Sequence, residues 1–430
     1  MNTQKSSKLI IYLLFLTLIG FAGCQDKVLE TYELNNPVYM SYNELRQAVN
    51  DTFPINLEHP GKIYIKGNYL FVNEVRKGIH IVDNSNPEAP VVLRFIDIPG
   101  NIDLAVKGDI LYADSYIDLI TLDISDLSDI KELGRIEDVF SYTLPPYESQ
   151  QRLGEVDQSR GVVVGWKTET VTREVSEPIH YSWPTRGWEL YDMAASTKLT
   201  NGSGGGGSTT STGGSMARFI IYDDILYAID ISALHFFNIS ESASPVAIGN
   251  YPIGWNIETV FIARDHLFIG AQTGMYIYSL NNPVEPQYVS TYWHMTSCDP
   301  VVVEGNYAYV TLRTGTTCTN DVNQLDVVDV ADLSNPQHLK SYTMYNPHGL
   351  GIDNGTLFIC DGEEGLKVYD ASNPLMIKNN MIARFPDINA FDVIPVNNLL
   401  IMVGTEGIFQ YDYSDLTNIE LLSTLPIFSK

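Results

Sequence analysis

The stretch GIHIVDNSNPEAP at residues 78–90 returns as GLKVYDASNPLMI at residues 365–377. In both copies a glycine opens an alternating apolar run, an aspartate closes it, and Asn-Pro follows. Alternation of β-branched and aromatic residues is typical of a β-strand, and Asn, Asp and Pro are typical of turns. Two such similar segments so far apart indicate an internal repeat.

Seven copies of this unit occur along the chain of 430 residues. A first apolar run begins near residues 66, 107, 222, 263, 304, 353 and 396, and a second near residues 78, 118, 233, 274, 324, 365 and 407. Two shorter apolar stretches flank each pair, which gives four strands in about 40 residues, the pattern of a propeller blade. The sequence therefore predicts an all-β, seven-bladed β-propeller of four-stranded blades.

The residues of the repeat also resemble a known family. The run HIVD with its flanking Gly78 and Asn86-Pro87 is similar to the LVIVD repeat of bacterial surface and exported proteins. The resemblance covers about residues 60–430, apart from one insertion. It implies a β-propeller lipoprotein of the bacterial envelope, of the Bacteroidetes type, and it supplies no catalytic residues.

The N-terminus has the features of an export signal. Lys5 and Lys8 precede an apolar run at residues 9–22 that is too short for an ordinary membrane span. The run ends at Ala22-Gly23-Cys24, which resembles the bacterial lipobox, although Phe21 replaces the usual aliphatic residue. The resemblance implies that residues 1–23 are removed and that Cys24 is acylated, so the protein is anchored in the outer membrane facing the exterior. A buried, structural Cys24 is the alternative.

The remaining chain divides into a tether and a propeller. Residues 24–57 are polar, and SYNELRQAV at 41–49 fits a short helix because Ser41 and Glu44 have capping-box spacing. Residues 58–430 contain the repeats, with an insertion at about 141–215 after the second copy. We expect the helix to pack on the propeller.

Two length changes fall on one face of the predicted propeller. The loops between blades, and those between the second and third strands of a blade, lie on the same side. The 141–215 insertion leaves from a loop between blades, and RTGTTCTNDVNQ at 313–324 lengthens a second-to-third-strand loop. Insertions on one face often mark the binding side of a repeat protein. A mobile excursion without function is the alternative.

Two cysteines are predicted to lie in neighbouring loops of the fifth blade. Cys298 and Cys318 are expected on the same face, close to the axis. We predict that they form a disulfide, because exported proteins tolerate disulfides and closing a loop of ~20 residues contributes about 3 kcal/mol of stability. A reactive or metal-binding pair is the alternative, but no His/Cys cluster at ligand spacing accompanies it. Cys360, at the end of a strand, is expected to be buried.

Polar residues begin the first strand of each copy, where the side chains are expected to face a central channel. They are Lys62, Asp103, Arg218, Glu258, Asp299, His348 and Asp392. Such groups cap turns and bind channel water in many proteins. The functional alternative is a cation such as calcium, or a small polar ligand, at the channel mouth. We predict no other cofactor.

Aromatic residues suggest a partner surface on the same face. Trp255 and Trp293 occupy equivalent loops, with Tyr292 and His294 beside the second. Tryptophan and tyrosine are enriched at binding surfaces. Three further tryptophans, Trp166, Trp183 and Trp188, lie in the insertion. Ordinary loop packing is the alternative.

Composition and motifs restrict the function. A formal net charge of −26, from 52 acids and 26 bases, argues against nucleic acid as a partner. No G-x-S-x-G, H-E-x-x-H or P-loop motif is present.

We favour a non-catalytic binding or scaffold module for an envelope protein or glycan. The alternative is an envelope glycan lyase or hydrolase that uses the channel-mouth acids, with Asp299 and His348 as the best pair. A filled, dry channel favours the first function, and a metal at the mouth favours the second.

Overall fold

The structure is a computed structural model that describes residues 28–147, 151–175, 211, 212, 215, 217–254, 256–294, 300–314 and 322–428. The chain forms two compact units. The described residues of the smaller unit are 28–38, 147, 151–156 and 165–175, and the larger unit contains the others. We describe each unit separately.

The described residues are almost entirely β-strands. The first elements are β1 (Val28–Met40), helix α1 (Tyr42–Leu45), β2 (Asn50–Thr52), β3 (Pro60–Lys66), β4 (Tyr69–Glu74), β5 (Gly78–Asp83), β6 (Val91–Asp97), β7 (Leu104–Lys107), β8 (Ile110–Ser115), β9 (Asp118–Asp123) and β10 (Lys131–Ile136). The insertion contributes β11 (Arg152–Leu153), a 3₁₀ turn (Gln158–Arg160), β12 (Val162–Val175) and β13 (Ser211–Thr212).

The second half of the chain continues the same pattern. It contains β14 (Phe219–Tyr222), β15 (Ile225–Ile229), β16 (Ala233–Asn238), β17 (Val246–Pro252), β18 (Ile257–Ala263), β19 (His266–Ala271), β20 (Gly274–Ser279), β21 (Gln287–Trp293), β22 (Val301–Glu304), β23 (Tyr307–Leu312), β24 (Gln324–Asp329) and β25 (Gln337–Thr343). The last elements are β26 (Leu350–Asp353), β27 (Thr356–Cys360), β28 (Leu366–Asp370), a 3₁₀ turn (Ile377–Asn379), β29 (Met381–Phe385), β30 (Ala390–Val396), β31 (Leu399–Gly404), β32 (Gly407–Asp412) and β33 (Glu420–Pro426).

These strands form eight sheets within the described ranges, where the sequence predicted seven. Seven sheets contain a four-stranded antiparallel meander, which we number 1 to 7 from β3–β6, β7–β10, β14–β17, β18–β21, β22–β25, β26–β29 and β30–β33. The first meander gains β2 at one edge and β13 at the other. The eighth sheet has three strands, in the order β11, β1, β12. The predicted all-β class and four-stranded unit are confirmed.

The motif that opens the repeat has a clear structural role. The glycine begins the third strand of a meander, and the aspartate ends it. The Asp83 carboxylate accepts a hydrogen bond from the Ser85 backbone N–H at 2.9 Å, and Asp370 accepts one from Ser372 at 2.9 Å. This Asx turn satisfies a backbone donor where the strand ends, which explains why aspartate recurs there.

The turn after the third strand also links neighbouring meanders. Tyr342 of meander 5 donates its hydroxyl to the Pro374 carbonyl of meander 6 at 2.9 Å. Ser423 of meander 7 donates to the Pro87 carbonyl of meander 1 at 2.6 Å. The last meander is therefore hydrogen-bonded to the first.

Apolar packing supports the same cyclic order. The first strand of each meander, here called the inner strand, contacts the inner strand of the next meander from β3 through to β30. Ile63 and Ile65 of meander 1 share a buried cluster with Ile394 and Val396 of meander 7. Burial of such side chains is the main stabilising contribution of the fold, at about 25 cal/mol per Å² of apolar surface.

The smaller unit contradicts the predicted tether. Residues 24–57 were expected to be a polar tether, but the N-terminal part of β1 is paired in parallel with β11, with Leu34 opposite Arg152. Asn35 is buried and accepts a hydrogen bond from Thr168 at 2.6 Å. The partner strands belong to the distant insertion, so no local sequence pattern reveals this pairing.

The predicted helix is present but shorter than residues 41–49. Helix α1 spans Tyr42–Leu45 with a complete capping box, in which Ser41 Oγ accepts from the Glu44 N–H at 3.2 Å and Glu44 accepts from the Ser41 N–H at 2.9 Å. Leu45 is fully buried beside Ile117 and Val162. The helix thus packs on meander 2 of the larger unit.

Candidate functional site

The inner strands all begin on one side of the larger unit, which we call the loop face. The loops between meanders and those joining second to third strands lie there. Three of the seven predicted channel-mouth residues, Asp103, Arg218 and Glu258, lie at or next to the start of an inner strand. His348 lies two residues before β26, and Lys62 and Asp392 lie two residues into β3 and β30. Asp299 lies outside the described residues, as do Trp255, Cys298, Cys318 and Cys24.

The channel-mouth charges converge on Lys62. Burial lowers the pKa of Lys62 to about 8, Asp103, Asp392 and Glu258 oppose that shift, and Arg218 adds to it. Charges from four other meanders therefore act on one ammonium group. A buried ammonium with a lowered pKa is held by surrounding carboxylates rather than by water.

The Asp103 carboxylate accepts hydrogen bonds from backbone N–H groups. It accepts from the N–H groups of Phe219 at 3.0 Å and Leu104 at 2.7 Å, and it also accepts from Arg218 N–H. Burial raises the pKa of Asp103, while Lys62 and these N–H groups oppose the rise. The residue joins the start of β14 to that of β7, which is a structural use of a predicted site residue.

His348 is buried as a neutral imidazole. Burial lowers the pKa of His348 to about 3, and the positive charge of Arg313 lowers it further. The Nε2 atom lies 3.1 Å from Asn346 Nδ2, which fits a neutral ring that accepts a hydrogen bond from the amide. A proton on this nitrogen would oppose the amide donor.

We expect this histidine to make folding depend on pH. The pKa of about 3 in the folded state lies below the value of about 6.5 in an unfolded chain, so only the unfolded state takes up this proton between pH 8 and 5. The free energy of unfolding should fall by about 2 kcal/mol over this range because of His348. Urea unfolding of wild type and His348→Gln at both pH values isolates the contribution, since all other titrating groups are common to both. An equal loss in the two proteins would contradict the assignment.

A cavity of about 30 Å³ lies on the loop face, among meanders 1, 2 and 3. Its lining is formed by Arg76, Gly100, Ile102, Asp103, Asp114, Tyr116, Phe140, Ser141, Thr143, Arg218, Phe219, Ile229 and Asp230. Two of the predicted site residues, Asp103 and Arg218, are among them. Arg76, Asp114 and Asp230 were not predicted from the sequence.

Asp114 is a buried carboxyl group of this cavity, and its pKa is raised. Burial raises the pKa of Asp114 to about 6, although the Asp103 and Ile102 N–H groups and the charge of Arg218 oppose the rise. One oxygen, Oδ1, accepts from the N–H groups of Ile102 at 2.8 Å and Asp103 at 2.9 Å. It also accepts from Asn101 Nδ2 at 2.9 Å.

Asp230 has the opposite behaviour. Burial alone would raise its pKa, but hydrogen bonds from His235, Ser232 and Ser141 hold the pKa well below its usual range. His235 Nε2 lies 3.0 Å from Oδ2, and the Ser141 N–H donates to the same oxygen at 3.0 Å. This ionised carboxylate fixes the point where the insertion leaves meander 2.

These acids share a position in the repeat. Glu74, Asp114, Asp230 and Asp361 each lie at or just after the end of the second strand and accept backbone N–H groups from a loop. This position, at the end of the second apolar strand of each copy, is the sequence signal that could have identified them. Part of the acidic composition is therefore structural.

The described residues at the end of the insertion contact inner strands of three meanders. Strand β13 pairs antiparallel with β3, with Ser211 opposite Lys66, the residue of β3 farthest from the loop face. Ser215 is fully buried; its hydroxyl lies 3.4 Å from Asp392 Oδ1 and accepts from the Leu350 N–H at 3.1 Å. This differs from the expectation that the whole 141–215 insertion extends from the loop face.

The structure describes three of the four residues of the predicted aromatic surface, Trp293, Tyr292 and His294. Trp293 is 66% exposed at the end of β21, and its ring meets Tyr276 edge-on at 6.0 Å. Tyr292 is instead buried, with its hydroxyl 3.3 Å from Asp326 Oδ2. Neighbouring residues of a strand point to opposite sides, so only one of the two can reach solvent. His294 follows directly, with its ring 6.1 Å from that of Tyr292.

No helix in the described part of the chain has the length and apolarity needed to cross a membrane. Among the residues that the structure describes, no three His, Cys, Asp or Glu side chains are grouped so as to hold a metal ion.

Comparison with known proteins agrees with the fold. The LVIVD repeat model matches residues 60–95, 101–138 and 297–344. No curated protein matches the chain. Among solved structures, the chain resembles the periplasmic gluconolactonase PpgL of Pseudomonas aeruginosa, with a TM-score of 0.52, 9% identity, and coverage of 85% of this chain and 96% of that one.

Two further structures are similar at the same level. A protein from Lactobacillus plantarum has a TM-score of 0.50 at 11% identity, covering 86% of this chain and 97% of that one. The computationally designed Ika8 protein has a TM-score of 0.50 at 9% identity, covering 87% and 88%. Identities this low show the fold alone. The chain carries LVIVD repeats, and its structural neighbours are β-propeller proteins.

Proposed function

We propose that the protein is a lipid-anchored, non-catalytic binding or scaffold module of the bacterial envelope. Its seven meanders are the blades of one closed propeller, and acylated Cys24 holds it in the outer membrane facing the exterior. Cys298 and Cys318 form a disulfide near the loop face. The partner is an envelope protein or glycan that binds this face. The lipobox-like Ala22-Gly23-Cys24 and the bond from Ser423 to Pro87 support the anchor and the closed ring.

The observation that carries the proposal is the burial of Ser215 beside the channel-mouth acid Asp392. The Ser215 hydroxyl contacts both Asp392 and the Leu350 N–H, so protein groups rather than a substrate occupy this side of the Asp392 carboxylate. Asp103 is likewise used by backbone N–H groups. Side chains committed to internal hydrogen bonds are poor candidates for acid-base chemistry, which favours binding over catalysis at the mouth.

The surface offered to the partner includes Trp293. A large exposed aromatic side chain at the end of a rigid strand loses little conformational freedom on binding, and such residues often carry most of the affinity. Tyr345, which is 53% exposed, lies in the loop after meander 5 on the same face. We place both in the partner surface together with His294.

Replacing Trp293 with alanine should weaken partner binding by about 2 kcal/mol, or about 30-fold. The matched control is Tyr288→Ala. Tyr288 belongs to the same strand at its opposite end, is 58% exposed, and meets Tyr278 edge-on as Trp293 meets Tyr276. The measurement is capture of envelope components by each immobilised full-length variant. Loss of capture by Tyr288→Ala with retention by Trp293→Ala would show that the wrong face has been chosen.

One observation favours the second candidate, an envelope glycan lyase or hydrolase. Asp114, with a pKa of about 6, lies in an open cavity beside Asp103, and a carboxyl group that titrates near neutrality suits general acid-base catalysis. An enzyme of this kind should lose turnover of envelope glycans in Asp114→Asn while retaining its fold. If the wild-type protein turns over no envelope glycan, this second candidate is excluded and the binding function is retained.

A further inference from the structure

Two arginines meet at the cavity on the loop face. Arg76 lies in the loop between β4 and β5, and Arg218 directly precedes β14. Nearby aromatic rings come from Tyr116 and Phe140, both partly exposed. Three carboxyl groups, those of Asp103, Asp114 and Asp230, line the same cavity.

The carboxylates that line the cavity accept hydrogen bonds from groups other than the Arg218 side chain. Asp230 is bound by His235, Ser141 and backbone N–H groups, and Asp103 is bound by backbone N–H groups. Asp114 directs Oδ1 to backbone and amide donors. Among the described residues, nothing accepts a hydrogen bond from the buried Arg218 Nε. A guanidinium group has five donors in a planar fork, so this one retains capacity for an anion.

Ten described non-glycine residues have a positive φ, and two of them lie at this cavity. Arg76 has φ of 60° and Tyr116 has φ of 54°, a left-handed conformation that side chains of this size rarely adopt. Such residues are strained and cluster at ligand sites. The Arg76 guanidinium lies 5.9 Å from the centroid of the Tyr116 ring, so the strained turns of meanders 1 and 2 bring a cation and an aromatic ring together.

We propose that this cavity binds the carboxylate of an acidic sugar. A volume of about 30 Å³ admits one or two water-sized groups, so only the carboxylate enters, as a bidentate partner of a guanidinium fork. The sugar ring then lies outside, against Tyr116 and Phe140, whose apolar faces suit a pyranose. The site is separate from the partner surface at Trp293, which belongs to meander 4.

The test is isothermal titration of the full-length protein in detergent with glucuronate, with glucose and acetate as comparison ligands. Glucuronate should saturate one site, glucose should not bind, and acetate should bind at least tenfold more weakly. Arg218→Gln should weaken glucuronate binding at least tenfold. Arg218→Lys should also weaken it, because lysine keeps the charge but lacks the fork.

Matched controls separate this site from folding and from the partner surface. Arg264→Gln removes an arginine that donates to the Val330 carbonyl at 2.7 Å in a turn opposite the loop face, and it should bind glucuronate as wild type does. Trp293→Ala should do the same. Thermal unfolding reports whether each variant folds, and Arg76→Gln replaces Arg218→Gln if the latter does not. No glucuronate binding, equal binding of glucose or acetate, or unchanged affinity in folded Arg218→Gln would overturn the proposal.

Discussion

Replacing Asp361 with alanine should lower the free energy of unfolding by about 3–5 kcal/mol. The carboxylate is fully buried and pairs with the ammonium group of Lys367, whose side chain is only 11% exposed. It also accepts from the N–H groups of Tyr345 at 3.0 Å and Asn346 at 2.7 Å. The alanine variant leaves two backbone donors without their acceptor, and it leaves the Lys367 ammonium with only the partly exposed Glu364 carboxylate at 3.6 Å. Each of these changes is costly.

Two variants test the reason for this loss. Asp361→Ala with Lys367→Met removes both charges and should recover part of the stability, because the ammonium that lost its buried partner is gone. Asp129→Ala removes a carboxylate that pairs with Lys131 on the exposed surface, where both side chains are more than half exposed, and it should change little. Urea unfolding midpoints provide the measurement. Equal effects of Asp361→Ala and Asp129→Ala would show that burial of the pair is unimportant.

Replacing Gly78 or Gly365 with alanine should cost about 3 kcal/mol or more each. Gly78 has φ of 149° and Gly365 has φ of 81°, conformations that alanine rarely adopts. A Cβ atom would also lie 1.9 Å from the Ile96 carbonyl oxygen and 1.8 Å from that of Phe385, respectively. The backbone of the adjacent fourth strand cannot move away without losing its hydrogen bonds to the third strand. The cost of the steric overlap therefore adds to the cost of the backbone strain.

The turns between first and second strands supply the control for these two variants. Gly67 and Gly108 have φ of 56° and 57°, with nothing within 4 Å of an added Cβ. Their alanine variants should cost only the strain, about 1–2 kcal/mol. Thermal unfolding of the four variants decides the matter. Similar losses at all four positions would mean that close approach to the fourth strand has no energetic role.

Local patterns explain why so much of the fold is predictable. Strand β5, Gly78–Asp83, and strand β28, Leu366–Asp370, coincide with the quoted repeats because alternation and turn chemistry are properties of adjacent residues. The glycine and aspartate of the motif are required by contacts within one meander. A short period repeated along the chain therefore determines its architecture.

Contacts between distant segments were not predictable. The pairing of Ser211 with Lys66 joins a Ser/Thr/Gly-rich stretch, which has no periodicity, to the inner strand of meander 1. The pairing of β1 with β11 and β12 likewise joins the N-terminus to the insertion. In each pair, the sequence of one strand does not indicate which strand it will pair with, because the edge of a sheet accepts many sequences.

The candidate site was only partly predictable for the same reason. Asp103 and Arg218 were found because they recur at the start of inner strands. Asp114 and Asp230 were missed because a buried acid looks like a surface acid in the sequence, and burial appears only when the loops are assembled. Trp293 and Tyr292 were treated alike, although the register of β21 exposes one and buries the other.

The central claim is that the loop face near Trp293 contacts a partner in the envelope. Site-specific photocrosslinking in intact cells tests it most directly, with the photoreactive residue introduced at position 293 in one strain and at position 288 in another. The account predicts a discrete crosslinked product from position 293 and none from position 288. A product from position 288 alone, or none from either position, would contradict it.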